Sequence, residues 1–251
     1  METRIFETTA PAVFRDYMKV LNTVVEDVNL VFDHDGVSVM ALDPSHIAMV
    51  DFHLPDTDFD RYYVDQPFTV CLRLETVLKA LNKISKKDRS LIFEYDQDKD
   101  QVTLELRSDI QRRKTLDVLE PIEQKIPNPK IFMKSTTRIL LDVVKRIIDD
   151  FKDHEHLTLE SNDRGITFSI NSDDLKETTP ILRENDNILD HGVEEDTRSV
   201  YSMSYLTDFI REAKKISEVV NIQFSTDLPM KIDVELPRGH LIYWVAPCIG
   251  V

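Results

Sequence analysis

Glycine is scarce in this chain, at five residues in 251. Neither GxGxxG nor GxxxxGK[ST] occurs, which argues against folds that cradle a dinucleotide or nucleotide phosphate on bare backbone. Cysteine is scarcer still. Cys71 and Cys248 are the only two, and no metal-ligand spacing surrounds them. They read as structural thiols in a chain suited to a reducing compartment. No apolar run approaches the roughly 20 residues that a membrane helix needs, so no membrane partner is expected. The opening METRIFETTAPAVF has an early acid and a proline but no apolar core, so no signal peptide is expected. Positive charge is outnumbered, with 31 Lys and Arg against 46 Asp and Glu and a net charge of −15. That balance describes a soluble acidic protein. Chemistry is thin as well. The densest set of acids and imidazoles is Asp149-Asp150-Phe151-Lys152-Asp153-His154-Glu155-His156, and it falls where a helix should end in a solvated turn. No nucleophile motif accompanies it. The expectation is no enzyme, no catalytic residue, no metal and no cofactor.

What the chain does have is a strap near its middle, Lys114 to Ser135. Pro121, Pro127 and Pro129 lie within nine positions. Proline fixes its own φ and biases the preceding residue toward extended geometry, so this stretch reads as a stiff connector. Leu116, Val118, Leu119, Ile122, Ile126, Ile131 and Phe132 make it partly apolar.

The two sides of the strap resemble each other, and each carries one pattern twice: a strand, an amphipathic helix, then three strands. The first copy predicts a strand over 3–8 and a helix from Pro11 with Phe14, Tyr17, Met18, Leu21, Val24 and Val25 inward. Strands follow over 29–32, 37–42 and 47–54. The second predicts a strand over 66–73, a helix with Leu74, Val77, Leu78, Leu81 and Ile84 inward, and strands over 91–95, 101–107 and 114–119. The third predicts a strand over 130–134 and a cap at Ser135 or Thr136. Its helix carries Ile139, Leu140, Val143, Val144, Ile147, Ile148 and Phe151. Strands follow over 157–160, 166–170 and 178–182. The fourth predicts a strand over 199–203, a helix on Leu206, Phe209, Ile210 and Ala213, and strands over 220–224, 230–236 and 240–245. The polar stretch 183–198 reads as an exposed loop or edge hairpin. The fold class is α+β, with two similar domains of antiparallel sheets and two helices each. The expected boundaries are 1–117, a connecting loop over 118–130, and 131–251.

The positive charge is sorted. The helix windows 11–26, 74–89, 136–152 and 205–218 carry 14 basic and 10 acidic residues, a net of +4. The rest carries 17 and 36, a net of −19. Within the windows, Arg15 and Lys19, Lys79, Lys83 and Lys86, Arg138, Lys145 and Lys152, and Arg211, Lys214 and Lys215 lie off the apolar stripes. One reading is a set of solvated helix faces. The other is a weakly positive surface turned to a polyanion, touching phosphates without reading sequence.

Gly36 to Val50, GVSVMALDPSHIAMV, resembles the strand–loop–strand of the DNA sliding clamps, the proliferating cell nuclear antigen (PCNA) family, with Leu42-Asp43-Pro44-Ser45-His46 at its centre. Leu228 to Ile249, LPMKIDVELPRGHLIYWVAPCI, is similar to that family's C-terminal strands and closing Ala-Pro-x-Ile. Ile122-Glu123-Gln124 with Ile126-Pro127 is similar to its interdomain connecting loop. The resemblance covers nearly the whole chain and implies a trimeric, pseudo-sixfold ring with helices lining the hole. Such a ring encircles double-stranded DNA regardless of sequence, as a processivity factor for DNA polymerase in replication and repair. It tethers DNA polymerase, flap endonuclease and DNA ligase through short helical plugs and is opened by a clamp loader. The residues above then face DNA. The plug-receiving surface comprises Leu42, His46, Ile126, Pro127, Pro229, Trp244, Ala246, Pro247 and Ile249, a helix-in-groove mode. Subunits join through roughly 110–116 against 176–182, with Arg112, Arg113 and Lys114 facing Asp173, Asp174 and Glu177.

Departures from the family pattern include Pro44 in place of a small polar residue, a shortened connector, Cys248 where a basic residue is frequent, and an end almost directly after Ile249. Together they lean archaeal, hence cytoplasmic; a eukaryotic source would place the protein in the nucleus. Alternatives within the same fold are a subunit of a mixed-chain or checkpoint-type clamp. Outside it stands an interaction scaffold that never encircles DNA.

Overall fold

The computed structural model describes residues 2–82, 84, 88–126, 129–172 and 174–250. Lys83, Lys86, Pro127 and Asp173, named above as site residues, lie outside the described residues. The first half runs β1 (Glu2–Thr8), α1 (Pro11–Asn22), β2 (Asp27–Asp33), β3 (Gly36–Leu42), β4 (Ala48–Pro55), the short β5 (Arg61–Tyr62), β6 (Phe68–Arg73), α2 (Leu74–Leu81), β7 (Ser90–Asp96), β8 (Gln101–Arg107) and β9 (Arg112–Asp117). The second runs β10 (Ser135–Leu140), α3 (Leu141–Phe151), β11 (His156–Asn162), β12 (Gly165–Asn171), β13 (Lys176–Leu182), β14 (Ile188–Val193), β15 (Thr197–Ser202), α4 (Met203–Ala213), β16 (Val219–Phe224), β17 (Met230–Val234) and β18 (His240–Val245).

The chain forms two compact units. Unit one holds Met1–Leu42, Asp51–Ile126 and Pro237–His240, and unit two holds Asp43–Val50, Pro127–Leu236 and Leu241–Val251. In unit one, the order β5-β1-β7-β8-β9 makes an antiparallel sheet. A second sheet there places β2 between β3 and β6. In unit two, β13-β12-β11-β15 makes one antiparallel sheet, and β14-β10-β16-β17-β18 runs consecutively in another. Helix α1 packs on α2, and α3 on α4. The architecture is α+β with antiparallel sheets and two helices per half, as the fourfold pattern predicts.

The alternation drives this. In β2, Val28, Leu30 and Phe32 are buried between half-exposed neighbours, which is the period-2 signature of a strand with one covered face. In α3, Leu141, Val144, Ile147, Ile148 and Phe151 face inward at helical spacing. Unit one gathers its aromatic core around Phe6, whose ring lies 5.2 Å from Phe14, 4.6 Å from Phe59 and 5.1 Å from Phe93. In unit two, Phe209 stacks on Tyr243 at 3.9 Å.

The third copy departs from its expected layout. Ser135 and Thr136 cap no helix; they begin β10, and the helix starts at Leu141. The expected strand over 130–134 is irregular chain. The reason is tertiary. Ser135–Leu140 is paired along its length to β16, and over most of it to β14. The first helical N–H, that of Leu141, then bonds Glu218 O at 2.8 Å. The same device recurs where Leu74 N–H bonds Glu26 O at 2.8 Å and Met203 N–H bonds Glu155 O at 2.9 Å. A main-chain carbonyl thus satisfies one of the orphan donors of the first turn, in helices whose N-cap residues make no side-chain bond. Helix α1 begins instead with Pro11, which has no N–H to satisfy. In the second copy the helix ends at Leu81, so Ile84 lies beyond it.

Two hairpins repeat a further detail. Gly36 ends the β2–β3 turn at φ +143° and Gly165 ends the β11–β12 turn at φ +146°. A Cβ at either would sit 2.0 Å from Leu54 O or 2.1 Å from Ile181 O, so only glycine fits.

Candidate functional site

The helix cations come with their own counter-charges. In unit one, Arg15 Nε and Lys19 Nζ reach Asp16 Oδ1 at 2.9 and 3.0 Å. Burial pushes the Asp16 carboxyl up, but the bonds from Arg15 and Lys19 outweigh it, and its pKa falls below the ordinary value. Lys79 pairs with Glu75 at 2.6 Å. In unit two, Lys145 pairs with Asp149 at 2.5 Å, and Arg211 reaches Asp208 at 2.7 Å and Asp149 at 3.6 Å. Lys214 binds Glu218, and Lys215 binds Glu212. The bond from Lys145, above all, holds the Asp149 carboxyl below its ordinary pKa. Four of these pairs, Asp16–Lys19, Glu75–Lys79, Lys145–Asp149 and Asp208–Arg211, sit three or four residues apart on one helix, the spacing at which side chains meet, while Lys214 and Lys215 lie just past the end of α4. Lys152, just past α3, is exposed and has no ion pair among the described residues. Arg138 stands on β10 rather than on a helix and forms a two-pronged pair with Glu235. The expected helical spacing of Arg138, Lys145 and Lys152 therefore does not hold. Exposed pairs of this kind are worth about 0–1 kcal/mol each, so an incoming phosphate exchanges for a carboxylate at small cost. The helix faces are a lattice of weak ion pairs, not a bare positive strip.

The loop after β3 is built on a buried carboxylate. Asp43 Oδ1 accepts from Ile47 N–H at 2.7 Å and Ala48 N–H at 2.6 Å, while Oδ2 accepts from Ser45 N–H at 3.0 Å. Tyr205 from α4 donates its hydroxyl to Asp43 Oδ2 at 3.3 Å, and Tyr243 donates to Tyr205 O at 2.9 Å. Burial drives the Tyr243 phenol far above its ordinary pKa. His46 is exposed and held at φ +60°, a left-handed conformation uncommon for a side-chain-bearing residue. Also in unit two, Trp244 is half-buried on β18 opposite Lys231, and Pro229, Ala246 and Pro247 are half-buried. Ile249 is 74% exposed. The C-terminal stretch is tied down where Ala246 N–H bonds Ile47 O and Cys248 N–H bonds Val200 O, both at 2.8 Å.

The strap lies on unit one and is fastened at three successive strands. Leu119 N–H bonds Cys71 O on β6 at 2.8 Å. Asn29 on β2 clasps Ile122, its Nδ2 donating to Ile122 O at 2.8 Å and its Oδ1 accepting from Ile122 N–H at 3.0 Å. Gln124 clasps Leu42 at the end of β3. Since β6, β2 and β3 are neighbours, the strap crosses them in order. Leu42 and Ile126 are half-buried there.

The proposed subunit edges are sheet edges. Strand β9 ends one sheet of unit one, and β13 ends one sheet of unit two. Arg112 already binds the buried Asp88 at 2.5 Å. Arg113 binds Glu94 at 2.6 Å and lies 3.5 Å from Glu105. Lys114, Asp174 and Glu177 are exposed. Among the described residues no three acidic, imidazole or thiol side chains form a metal-holding group. No described helix is long and apolar enough to cross a membrane.

Sequence reasoning quoted Asp43 and Gln124 without giving them structural roles, and it missed Asn29 and Tyr205. The partners of Asn29 and Tyr205 lie 93 and 162 residues away, beyond any local pattern. A polar residue between the buried Val28 and Leu30, as Asn29 is, was the local signal.

The profile of the proliferating cell nuclear antigen N-terminal domain matches residues 1–124. The DNA polymerase sliding clamp of Thermofilum pendens is 27% identical over 229 residues, covering 90% of this chain and 92% of that one. That of Thermococcus gammatolerans is 25% identical over 236 residues, covering 93% and 94%. In the PCNA2–PCNA3 complex of Sulfolobus tokodaii, one chain superposes with a TM-score of 0.89 at 25% identity, over 98% of this chain and 99% of that one. PCNA of Thermococcus kodakaraensis gives 0.91 at 20% identity, over 98% and 100%. Residues 1–124 thus match the proliferating cell nuclear antigen N-terminal domain family, and the likeness of the whole chain to DNA polymerase sliding clamps runs nearly end to end.

Proposed function

We propose that this chain is a DNA polymerase sliding clamp, a processivity factor that performs no chemistry and holds other enzymes on double-stranded DNA. The observation that carries the DNA-facing part is the set of weak ion pairs on α1, α2, α3 and α4 in a chain of net charge −15. A surface of exchangeable pairs favours loose, sequence-blind phosphate contact over tight binding. Arg15, Lys19, Lys79, Lys83, Lys86, Lys145, Lys152, Arg211, Lys214 and Lys215 then face the duplex. Arg138, on a strand, is the weakest member. The test is primer extension with a family polymerase under single-hit conditions. Replacing Lys79, Lys145, Arg211 and Lys214 together by alanine should shorten products several-fold. Unchanged product length would sink the DNA-lining role and favour a scaffold that never encircles DNA.

Replication enzymes, flap endonuclease and ligase among them, would dock by a short helical plug with apolar anchors. Its receiving residues are Leu42, His46, Ile126, Pro127, Pro229, Trp244, Ala246, Pro247 and Ile249, bordered by the strap. A plug peptide whose affinity is unchanged by Ile249→Ala and Pro229→Ala would argue against this surface. Ring closure would pair β9 of one copy with β13 of the next, three copies to a ring. A second reading, a ring of different chains, is favoured by the Sulfolobus tokodaii relative, whose structure is a complex of PCNA2 with PCNA3. Light scattering of the chain alone separates the two: a mass near three times 29.2 kDa supports the homotrimer. The protein would work beside the chromosome, in the cytoplasm of an archaeal cell or the nucleus of a eukaryotic one.

A further inference from the structure

In unit one a groove of about 490 Å3 opens between the chain leading from β5 into β6 and the β7–β8 turn. It shares no residue with the strap, the Asp43 loop or the helix cations. Three aromatic rings line it. Phe68 and Tyr95 stack at 5.4 Å with their planes 10° apart, and Phe68 is backed in turn by the buried Phe32 at 5.1 Å. Tyr95 donates its hydroxyl to Asp100 at 3.4 Å; burial, then that carboxylate, raise the phenol's pKa above its ordinary value. These two rings are therefore fixed in place. The third, Tyr63, is 63% exposed. The buried Val64 lies beneath, and the exposed carboxylates of Asp65 and Asp98 stand on the rim. No lysine or arginine is among the described lining residues.

This combination selects by charge. Aromatic faces carry negative electrostatic potential and attract cations held over them. Carboxylates beside a low-dielectric floor deepen the effect. An anion is repelled, and a purely apolar plug would strip water from Asp65 without replacing its hydrogen bonds. A cation on an apolar stem meets both demands, because its methylenes cover the floor while its head stays at the rim. A planar guanidinium does so better than an ammonium, since it stacks flat on a ring and donates along its edge to a carboxylate. We infer that this groove docks an arginine side chain presented by an extended segment of a partner protein, with the guanidinium stacked on the aromatic rings and bonded to Asp65. The groove shares no residue with the plug-receiving set, so a partner using both would gain from two tethered contacts.

The test uses the full chain and three small probes: N-acetyl-arginine, N-acetyl-lysine and N-acetyl-norleucine methylamides, followed by amide chemical shifts. The arginine probe should shift the amides of Tyr63, Val64 and Gln66 saturably and bind several-fold more tightly than the lysine probe. It should bind at least tenfold more tightly than the norleucine probe. Tyr63→Ala and Asp65→Asn, both at exposed positions, should each weaken it at least threefold while leaving the melting midpoint unchanged. Shifts scattered over the acidic surface, an equal response to norleucine, or indifference to both variants would each overturn the inference.

Discussion

Gln124 closes its side-chain amide on both main-chain groups of Leu42, accepting from the N–H at 3.3 Å and donating to the carbonyl at 3.1 Å. The amide imitates a neighbouring strand and holds the strap against the end of β3. Replacing Gln124 by alanine should cost about 1 kcal/mol or less, the net worth of two partly exposed hydrogen bonds. The sharper readout is local. Hydrogen exchange at Leu42 should quicken severalfold with little change in melting midpoint, whereas unaltered exchange would mean that the clasp does not hold the strap.

Asp43 carries a heavier load. Its carboxylate answers three backbone donors and one hydroxyl in a site 5% exposed. Asp43→Ala leaves those donors unsatisfied and should lower stability by about 2–4 kcal/mol, taking about 1–3 kcal/mol for each buried orphan and allowing some to reach water. Asp43→Asn keeps one acceptor oxygen and should cost about half as much. Denaturant unfolding of the two variants tests the ordering, and a milder effect for alanine than for asparagine would refute it.

Gly165→Ala forces a Cβ to within 2.1 Å of Ile181 O at a φ of +146°. Expected destabilisation is at least about 2 kcal/mol, from strain together with displacement of the turn. Gly36→Ala should behave alike, since its geometry is nearly the same. A melting midpoint within one degree of the parent for either would contradict the clash.

Alkaline pH should weaken the fold. Burial, and behind it the charge of Asp58, push the Tyr17 phenol up to about 12 from 10.0. The neutral phenol is favoured in the folded state, so the unfolded chain loses its proton first. The contribution is therefore complete below pH 10 and lost as pH rises from there toward 12. Burial raises Tyr62, Tyr201 and Tyr243 as well, which adds to the same limb. Tyr17→Phe should flatten that limb in unfolding measurements between pH 8 and 11. An unchanged slope would show that Tyr17 ionises freely in the folded protein.

The edge-pairing proposal yields a test that spares the single chain. Val118 N–H bonds Asp100 O, and in an antiparallel ladder this parity turns the N–H groups of Arg112, Lys114 and Leu116 inward to β8 and those of Arg113, Thr115 and Asp117 outward. Thr115→Pro therefore removes an outward donor and no ladder bond, a change that edge strands tolerate. The expected result is an unchanged circular dichroism spectrum with a mass that falls from trimer toward monomer on dilution. If the assembly survives intact, β9 is not the joining edge. On β13 the same parity points the nitrogen of Pro180 outward, in keeping with the proline sitting on an edge.

Much of the fold was legible because it rests on periodicity. Val28, Leu30 and Phe32 announce a strand, and Leu141, Val144, Ile148 and Phe151 a helix, whatever surrounds them. What failed was local chemistry overruled from afar. Ser135 and Thr136 look like a helix cap, yet ladder partners on both sides draw them into a strand, and the helix waits for Glu218 to supply a carbonyl. Arg138 reads as a helical cation because the partner that fixes it, Glu235, lies 97 residues on. The candidate site shows its motifs in the sequence but not its mechanics. LDPSH can be read directly, but no spacing reveals that Asp43 ties the loop to Tyr205, or that Asn29 and Gln124 button down the strap.

Three of the four helices begin on a hydrogen bond to a main-chain carbonyl from elsewhere in the same unit. The point at which strand becomes helix is thus indifferent to the side chains that happen to stand there. Mutations at such a junction meet little resistance so long as the ladder persists. Four copies of one pattern can then drift apart in sequence and take up separate duties, while the framework that spaces their helices stays in place.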